Sequence, residues 1–192
     1  MSLQPVVLEG HHVRLEPLVK KHLDDLCDVV ADGELWKLFV TLVPKPEDIM
    51  AFYERACSDF EAGIALPFVT IDQPSNKVIG STRFMRYHHT YKSVEIGYTF
   101  LAQSWQRTAA NTEAKLLMLN HAFETLGLNR VEFLTDFLNA KSRTAIARLG
   151  AKEEGVLRSH MVMPDGRVRD SVIFSIIKNE WPGVQQNLRS KL

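Results

Sequence analysis

The chain has 192 residues, enough for one well-filled core and short of two, so a single domain over 1–192 is expected. Lys plus Arg equals Asp plus Glu at 23 each, and with 45 % hydrophobic and 24 % charged residues the composition is that of an ordinary soluble globular protein. That balance, with no Lys/Arg run, excludes the net basic field on which duplex nucleic-acid binding depends.

The N-terminal residues do not read as a secretory signal, and no uninterrupted apolar stretch has the length of a bilayer crossing. The expected compartment is the cytoplasm, with no membrane partner. Cys27 and Cys57 fall in segments that read as helical, with no CxxC pair and no nearby His cluster. Neither a disulfide framework nor a metal site is expected.

In chain order, Val13-Arg14-Leu15-Glu16-Pro17-Leu18 alternates apolar and polar residues and ends at a proline, which predicts a strand and a turn. Over 21–30, Leu23, Leu26, Cys27 and Val30 recur at helical spacing, and Asp32-Gly33 supplies a stop. Pro44-Lys45-Pro46-Glu47-Asp48 opens a second helix with acidic residues in its first turn, where the dipole favours them. Its buried stripe is Ile49, Phe52, Tyr53 and Phe60. Strands are predicted over 67–72 and 78–85, joined by the turn Gln73-Pro74-Ser75-Asn76, and again over 94–101.

Residues 112–126 have the Ala/Leu/Met content of a strong helix ending at Gly127. A strand over 131–135 and a helix over 139–149 follow, the latter closed by Gly150. Two strands, 157–163 and 171–178, flank Pro164-Asp165-Gly166, whose Asp-Gly is a hairpin signal. The predicted order is β-α-α-β-β-β-α-β-α-β-β, an α/β (α+β) chain with helices on the faces of a mixed sheet.

Between the strand over 94–101 and the long helix lies Gln106-Arg107-Thr108-Ala109-Ala110-Asn111. A first helical turn has free N–H groups and the positive end of the dipole, so it can hold a pyrophosphate without a basic side chain. Asn111 and Thr112 are good cap residues, and Glu113 completes an acidic first turn. The plainer alternative is a well-capped helix that binds nothing.

An ordered set of segments resembles the GNAT-type N-acetyltransferases, and within them the RimJ/RimL-like branch. Leu8-Glu9-Gly10 through Leu18 is similar to the opening strand, and Val94-Glu95-Ile96-Gly97-Tyr98 to the central one. The run from Trp105 to Ala114 resembles the acyl-CoA loop, and that from Phe123 to Arg130 the segment after it. Asn139-Ala140-Lys141-Ser142, Leu149-Gly150-Ala151, Glu154-Gly155, Asp170 and Trp181 match the later parts.

The resemblance implies a mixed, mostly antiparallel central sheet flanked by helices, acetyl-CoA as co-substrate with no metal, an amine acceptor, and a homodimer as often found among relatives. The family loop reads Gln/Arg-x-x-Gly-x-Gly/Ala. Here Gln106-x-x-Ala109-x-Asn111 has lost both glycines. Asn111 tolerates the left-handed region, whereas at Ala109 the cradle requires a negative φ.

By the same resemblance Gln106, Arg107, Thr108, Ala109, Ala110, Asn111 and Thr112 hold the pyrophosphate. A backbone N–H near Phe100 and Leu101 meets the thioester carbonyl, and Asn139 meets the pantetheine arm. Glu95 is acidic in an otherwise apolar strand and faces away from Val94 and Ile96, which makes it the candidate base for the acceptor's proton. The family's tyrosine acid is replaced by Ile146. By resemblance to the RimL-like branch Ser142 is the candidate partner of the leaving sulfur, with Tyr98 and Tyr91 as substitutes.

His11-His12 and His88-His89 read as loop residues, and His121 as packing. By the same resemblance the two early helices and their connection wall the acceptor cleft, so Trp36 or Phe39 is a candidate to touch the acceptor, which is either a protein N-terminus or a small-molecule amine. The alternative is an acyl-CoA-binding module that has lost catalysis, and a third reading is a scaffold that uses the fold alone.

Overall fold

The computed structural model describes residues 3–192. Its strands are β1 (Leu8–Glu9), β2 (Val13–Pro17), β3 (Leu66–Asp72), β4 (Val78–His88), β5 (Ser93–Leu101), β6 (Arg130–Asp136), β7 (Lys152–Val162) and β8 (Val168–Ile177). They form a sheet in the order β1-β2-β3-β4-β5-β6-β8-β7. Neighbours are antiparallel except β5 and β6, which run parallel.

A parallel pair needs a crossover, and the helix between β5 and β6 supplies it. In chain order the helices are α1 (Leu23–Ala31), α2 (Ile49–Glu61), α3 (Ala109–Asn120), α4 (Ala140–Leu149) and α5 (Trp181–Arg189).

Two apolar layers sandwich the sheet. Leu26, Val29 and Val30 of α1 and Ile49 and Ala56 of α2 pack with Val69 and Ile71 on one face. Leu66, Phe68, Phe84, Val94 and Ile96 meet Ala114, Met118 and Leu119 of α3 on the other, where Trp181 and Leu188 of α5 join them. Burial on both faces explains why β3 is a continuous buried run and not an alternating one. Each fully buried large side chain contributes about 1.5–3 kcal/mol.

The structure adds two elements to the order read from the sequence, the short edge strand β1 and the C-terminal helix α5. Pro182 and Gly183 disguise α5, although proline is well tolerated in a first helical turn. The closing hairpin is also longer than its sequence signal: β7 begins at Lys152 and β8 at Val168, with register irregularities in the β7 ladder that spoil simple alternation.

α3 begins three residues earlier than expected. Its N-cap is Thr108, whose Oγ1 accepts from Ala110 N at 3.2 Å, and the helical stretch closes as a π turn over His121–Thr125. Glu113 therefore leaves the first turn. It is buried, and its carboxylate accepts from His11 N at 2.8 Å and from His12 N and Val13 N at 2.7 Å each, tying the β1–β2 turn to α3.

A Cβ on Gly10 would lie 2.4 Å from the Glu113 carboxyl carbon, so only glycine lets that turn approach. Three donors lose a charged acceptor in Glu113→Ala. Urea unfolding at pH 7 should show a loss of about 2–4 kcal/mol; a loss within experimental error would show that the turn is held by something else.

Candidate active site

β5 and β6 pair only from Ser93↔Arg130 to Glu95↔Glu132. Beyond that point they separate, and a cavity of about 890 Å³ occupies the gap. The start of α3 and the start of α4 both border it, because each helix follows the strand end that borders the gap.

A bulge in β5 determines what faces the cavity. Gly97 pairs with Arg83 and Phe100 with Ser81, so Tyr98 and Thr99 together oppose Thr82, and Tyr98 adopts φ 47°. The extra residue exchanges the two faces for everything after it. Glu95 lies opposite Val94 and Ile96, on the α2 side, and Tyr98 stays on that side, edge-on to Phe52 of α2 with ring centroids 6.2 Å apart. Thr99 turns to α3.

Arg83, only 2 % exposed, wedges between the rings of Phe52 and Tyr98, its guanidinium carbon 4.8 and 4.4 Å from their centroids. Asp59 stands 3.7 Å from its Nη1. The wedge fixes the bulge against α2.

On the α3 side, Lys115 is buried and donates from Nζ to Thr99 Oγ1 at 2.7 Å and Thr82 Oγ1 at 3.0 Å. Burial pulls its pKa down to about 7. Its signal in the sequence is its position four residues after Asn111, among apolar neighbours.

Gln106, Arg107, Thr108, Asn111 and Thr112 line the cavity at the α3 end. Gln106 Nε2 donates to Leu101 O at 3.1 Å, which holds the turn against the end of β5. Ala109 and Asn111 are both helical, and neither has a positive φ. The left-handed residue of the turn is Arg107, at φ 62°. The expected cap at Asn111 is thus corrected to Thr108, and neither lost glycine position has the left-handed φ that glycine takes most readily.

Phe100 and Leu101 border the gap at the end of β5, and Asn139, Ser142 and Ile146 border it from α4. Asn139 is the N-cap of α4, its Oδ1 accepting from Ser142 N at 3.0 Å. Tyr98 lines the cavity, whereas Tyr91 is exposed in the β4–β5 turn, stacked on His88 at 4.1 Å. Tyr91 is thereby removed from the candidates.

Glu95 is 5 % exposed, borders the cavity, and meets Arg86 Nη1 at 3.2 Å. Burial pushes its carboxyl pKa up to about 7, with nearby Glu132 adding to the rise and the Arg86 and Arg169 charges opposing it. A carboxylic group balanced near neutrality can take a proton and give it up again.

On the same sheet face lie Arg169, Asp136 and His160, none of them singled out from the sequence. Arg167 Nη2 donates to Asp136 Oδ2 at 2.5 Å and to Phe39 O at 3.1 Å, so the β7–β8 hairpin holds the connection between α1 and α2. His160 Nδ1 is 3.0 Å from Ser171 Oγ.

Leu38, Val40 and Leu42 of the α1–α2 connection wall the cavity. Trp36 and Phe39, the expected contacts, do not: Trp36 packs into the α1/α2 core, and the exposed Phe39 ring lies 5.3 Å from the Arg167 guanidinium. The residues of this connection that face the gap are smaller ones. His11 and His12 serve through backbone N–H groups, and His121 packs against Phe84 with ring centroids 6.1 Å apart. Among the described residues no group of three or more His, Cys, Asp or Glu is placed to hold a metal, and no helix is long and apolar enough to cross a membrane.

The acetyltransferase (GNAT) domain family matches residues 12–152. An uncharacterised N-acetyltransferase of Bacillus licheniformis, p20, is 28 % identical over 180 residues, covering 92 % of this chain and 98 % of p20. The crystal structure of a GCN5-related N-acetyltransferase from Brucella melitensis superposes with a TM-score of 0.87 at 32 % identity, over 99 % of this chain and 86 % of that one. Mycobacterium smegmatis RimJ, solved in complex with CoA-disulfide, shares the fold at a TM-score of 0.78 and 23 % identity, over 97 % of this chain and 92 % of its own. With its parallel strands parting beside a helix N-terminus, the chain belongs to the GNAT family and is an N-acetyltransferase.

Proposed function

We propose that the chain moves an acetyl group from acetyl-CoA directly to a primary amine, either a protein N-terminus or a small molecule, with Glu95 as the proton acceptor. The observation that carries this reading is the continuity of one cavity from the α3 N-terminal turn, through the β5–β6 gap, to the carboxyl group of Glu95.

Bound acetyl-CoA supplies an activated thioester. The free N–H groups at the start of α3, with Thr108 as cap and Asn111 and Thr112 on the cavity wall, suit its pyrophosphate. Arg107 adds a charge beside them. Backbone near Phe100 and Leu101, unpaired with β6, supplies an N–H for the thioester oxygen. Asn139 keeps its amide N–H₂ available for the pantetheine arm while its oxygen caps α4.

The acceptor must present a neutral nitrogen. Its lone pair forms the new C–N bond as the C–S bond breaks, its proton passes to Glu95 directly or through water, and the sulfur leaves toward Ser142 or Tyr98. Glu95 suits this task because its pKa of about 7 lets it hold and release the proton near neutral pH. The helical backbone at Ala109 and Asn111 supports the altered loop as a cradle, so the alternative of a binding module without catalysis rests on the tyrosine replaced by Ile146.

Three outcomes are expected. Glu95→Gln should lower kcat by about 10²–10⁴-fold with little change in the KM for acetyl-CoA, and should abolish the acid limb of the pH–rate profile near pH 7; a parent-like rate across pH would remove Glu95 from the reaction. Asn111→Glu sets a negative charge beside the phosphates. It should weaken CoA binding by about tenfold or more in calorimetry, and an unchanged affinity would displace the pyrophosphate from α3.

The third outcome follows from linkage. The folded-state pKa of Glu95 is raised, so the fold holds its proton more tightly than the unfolded chain does. That contribution is fully present below the unfolded value, 4.5, and is lost as pH rises through about 7. The stability of Glu95→Gln relative to the parent should therefore increase by about 2–3 kcal/mol between pH 4.5 and 8. A pH-independent difference would contradict the buried, protonated state.

A further inference from the structure

Building on the acetyl-transfer reading above, we propose that the acceptor carries a carboxylate a few bonds from its amine, and that Arg169 receives this carboxylate. Arg169 stands on β8, is only 6 % exposed, borders the cavity, and has no hydrogen-bond partner for its Nε. A buried guanidinium with an idle N–H is costly unless some acceptor completes it.

The surrounding carboxylates are already engaged. Asp136 is held by Arg167 at 2.5 Å, Glu95 faces Arg86 at 3.2 Å, and Glu132 faces Arg130 at 2.6 Å. Asp136 and Glu95 are close enough to act on the charge of Arg169 without bonding to it. No hydrogen bond or ion pair from a described residue reaches the Arg169 guanidinium, and its border on the cavity is where an external acceptor meets its terminal N–H groups.

Position adds to chemistry. β8 alternates, with Val172, Phe174 and Ile176 in the α3-side core, so Arg169 and Ser171 point to the opposite face, the one that carries Glu95. A carboxylate gripped by the planar fork of Arg169 leaves a nearby amine on the Glu95 side. With Arg86 paired to Glu95 and Arg167 to Asp136, Arg169 is the positive charge on this wall that an anionic group would complete. The class that fits is an amino carboxylate, either a free amino acid or a peptide that begins with Asp or Glu.

The test is calorimetric titration of the CoA-saturated protein with two matched series: free amino acids against the amines that lack their carboxylate, and peptides beginning with Asp or Glu against those beginning with Asn or Gln. In one series the carboxylate member should bind about tenfold or more tightly, which also identifies the source of the carboxylate. Arg169→Gln should erase that preference, and Arg169→Lys should retain part of it.

Met161 pairs with Arg169 across the β7–β8 ladder, so Met161→Glu supplies an internal carboxylate and should erase the preference without removing the arginine. CoA affinity equal to the parent's certifies that each variant is folded. Equal binding within both series, or a preference that survives both Arg169→Gln and Met161→Glu, overturns the proposal. Product formation is read separately: carboxylate-selective binding with no acetylated product from any member sinks the reaction but keeps the subsite, and turnover without carboxylate preference does the reverse.

Discussion

Beyond Glu95 and Glu132, β5 and β6 stop exchanging hydrogen bonds, and a sheet that is otherwise continuous acquires an open seam. Backbone groups on the inner edges of such a seam have no ladder partner and need another one. The seam also lies at the carboxyl ends of two parallel strands, where the α3 crossover begins and where α4 starts after β6. Two helix N-termini, with their free N–H groups and dipoles, border the gap because of that topology alone.

A single inserted residue separates the electrostatics of the two sheet faces. The bulge at Tyr98 keeps Glu95 and Tyr98 on the α2 side and turns Thr99 toward Lys115 on the α3 side. Burial moves the carboxyl group and the ammonium toward neutrality from opposite directions, each to about 7. The positive φ of Tyr98 is a cost the fold sustains by clamping Arg83 between Tyr98 and Phe52. Chemistry on one face and support on the other thus come from one strand, nine residues long.

Local pattern made much of this legible. The strand carrying Glu95, its facing relative to Val94 and Ile96, and the Asn139 start of α4 all follow from spacing of two or of three to four residues. What stayed hidden depends on contacts distant in sequence. Glu113 resembles an ordinary first-turn acid until the β1–β2 turn, about 100 residues away, supplies its three donors. Arg169 lies in a part of β8 that the sequence pattern did not extend to, and its isolation shows only once Asp136, Glu95 and Glu132 are seen to be engaged elsewhere. The negative φ that the cradle requires at Ala109 is met because, with Thr108 as cap, Ala109 is the first helical residue.

The central claim is that one ligand spans the seam, from the first turn of α3 to the unpaired end of β5. Hydrogen exchange of the backbone amides, with and without saturating CoA, tests it most directly. Protection should rise together at 109–112 and at 99–102, with β2 and β3 unchanged as internal reference. Binding of CoA that leaves both segments exchanging as in the free protein would contradict the account.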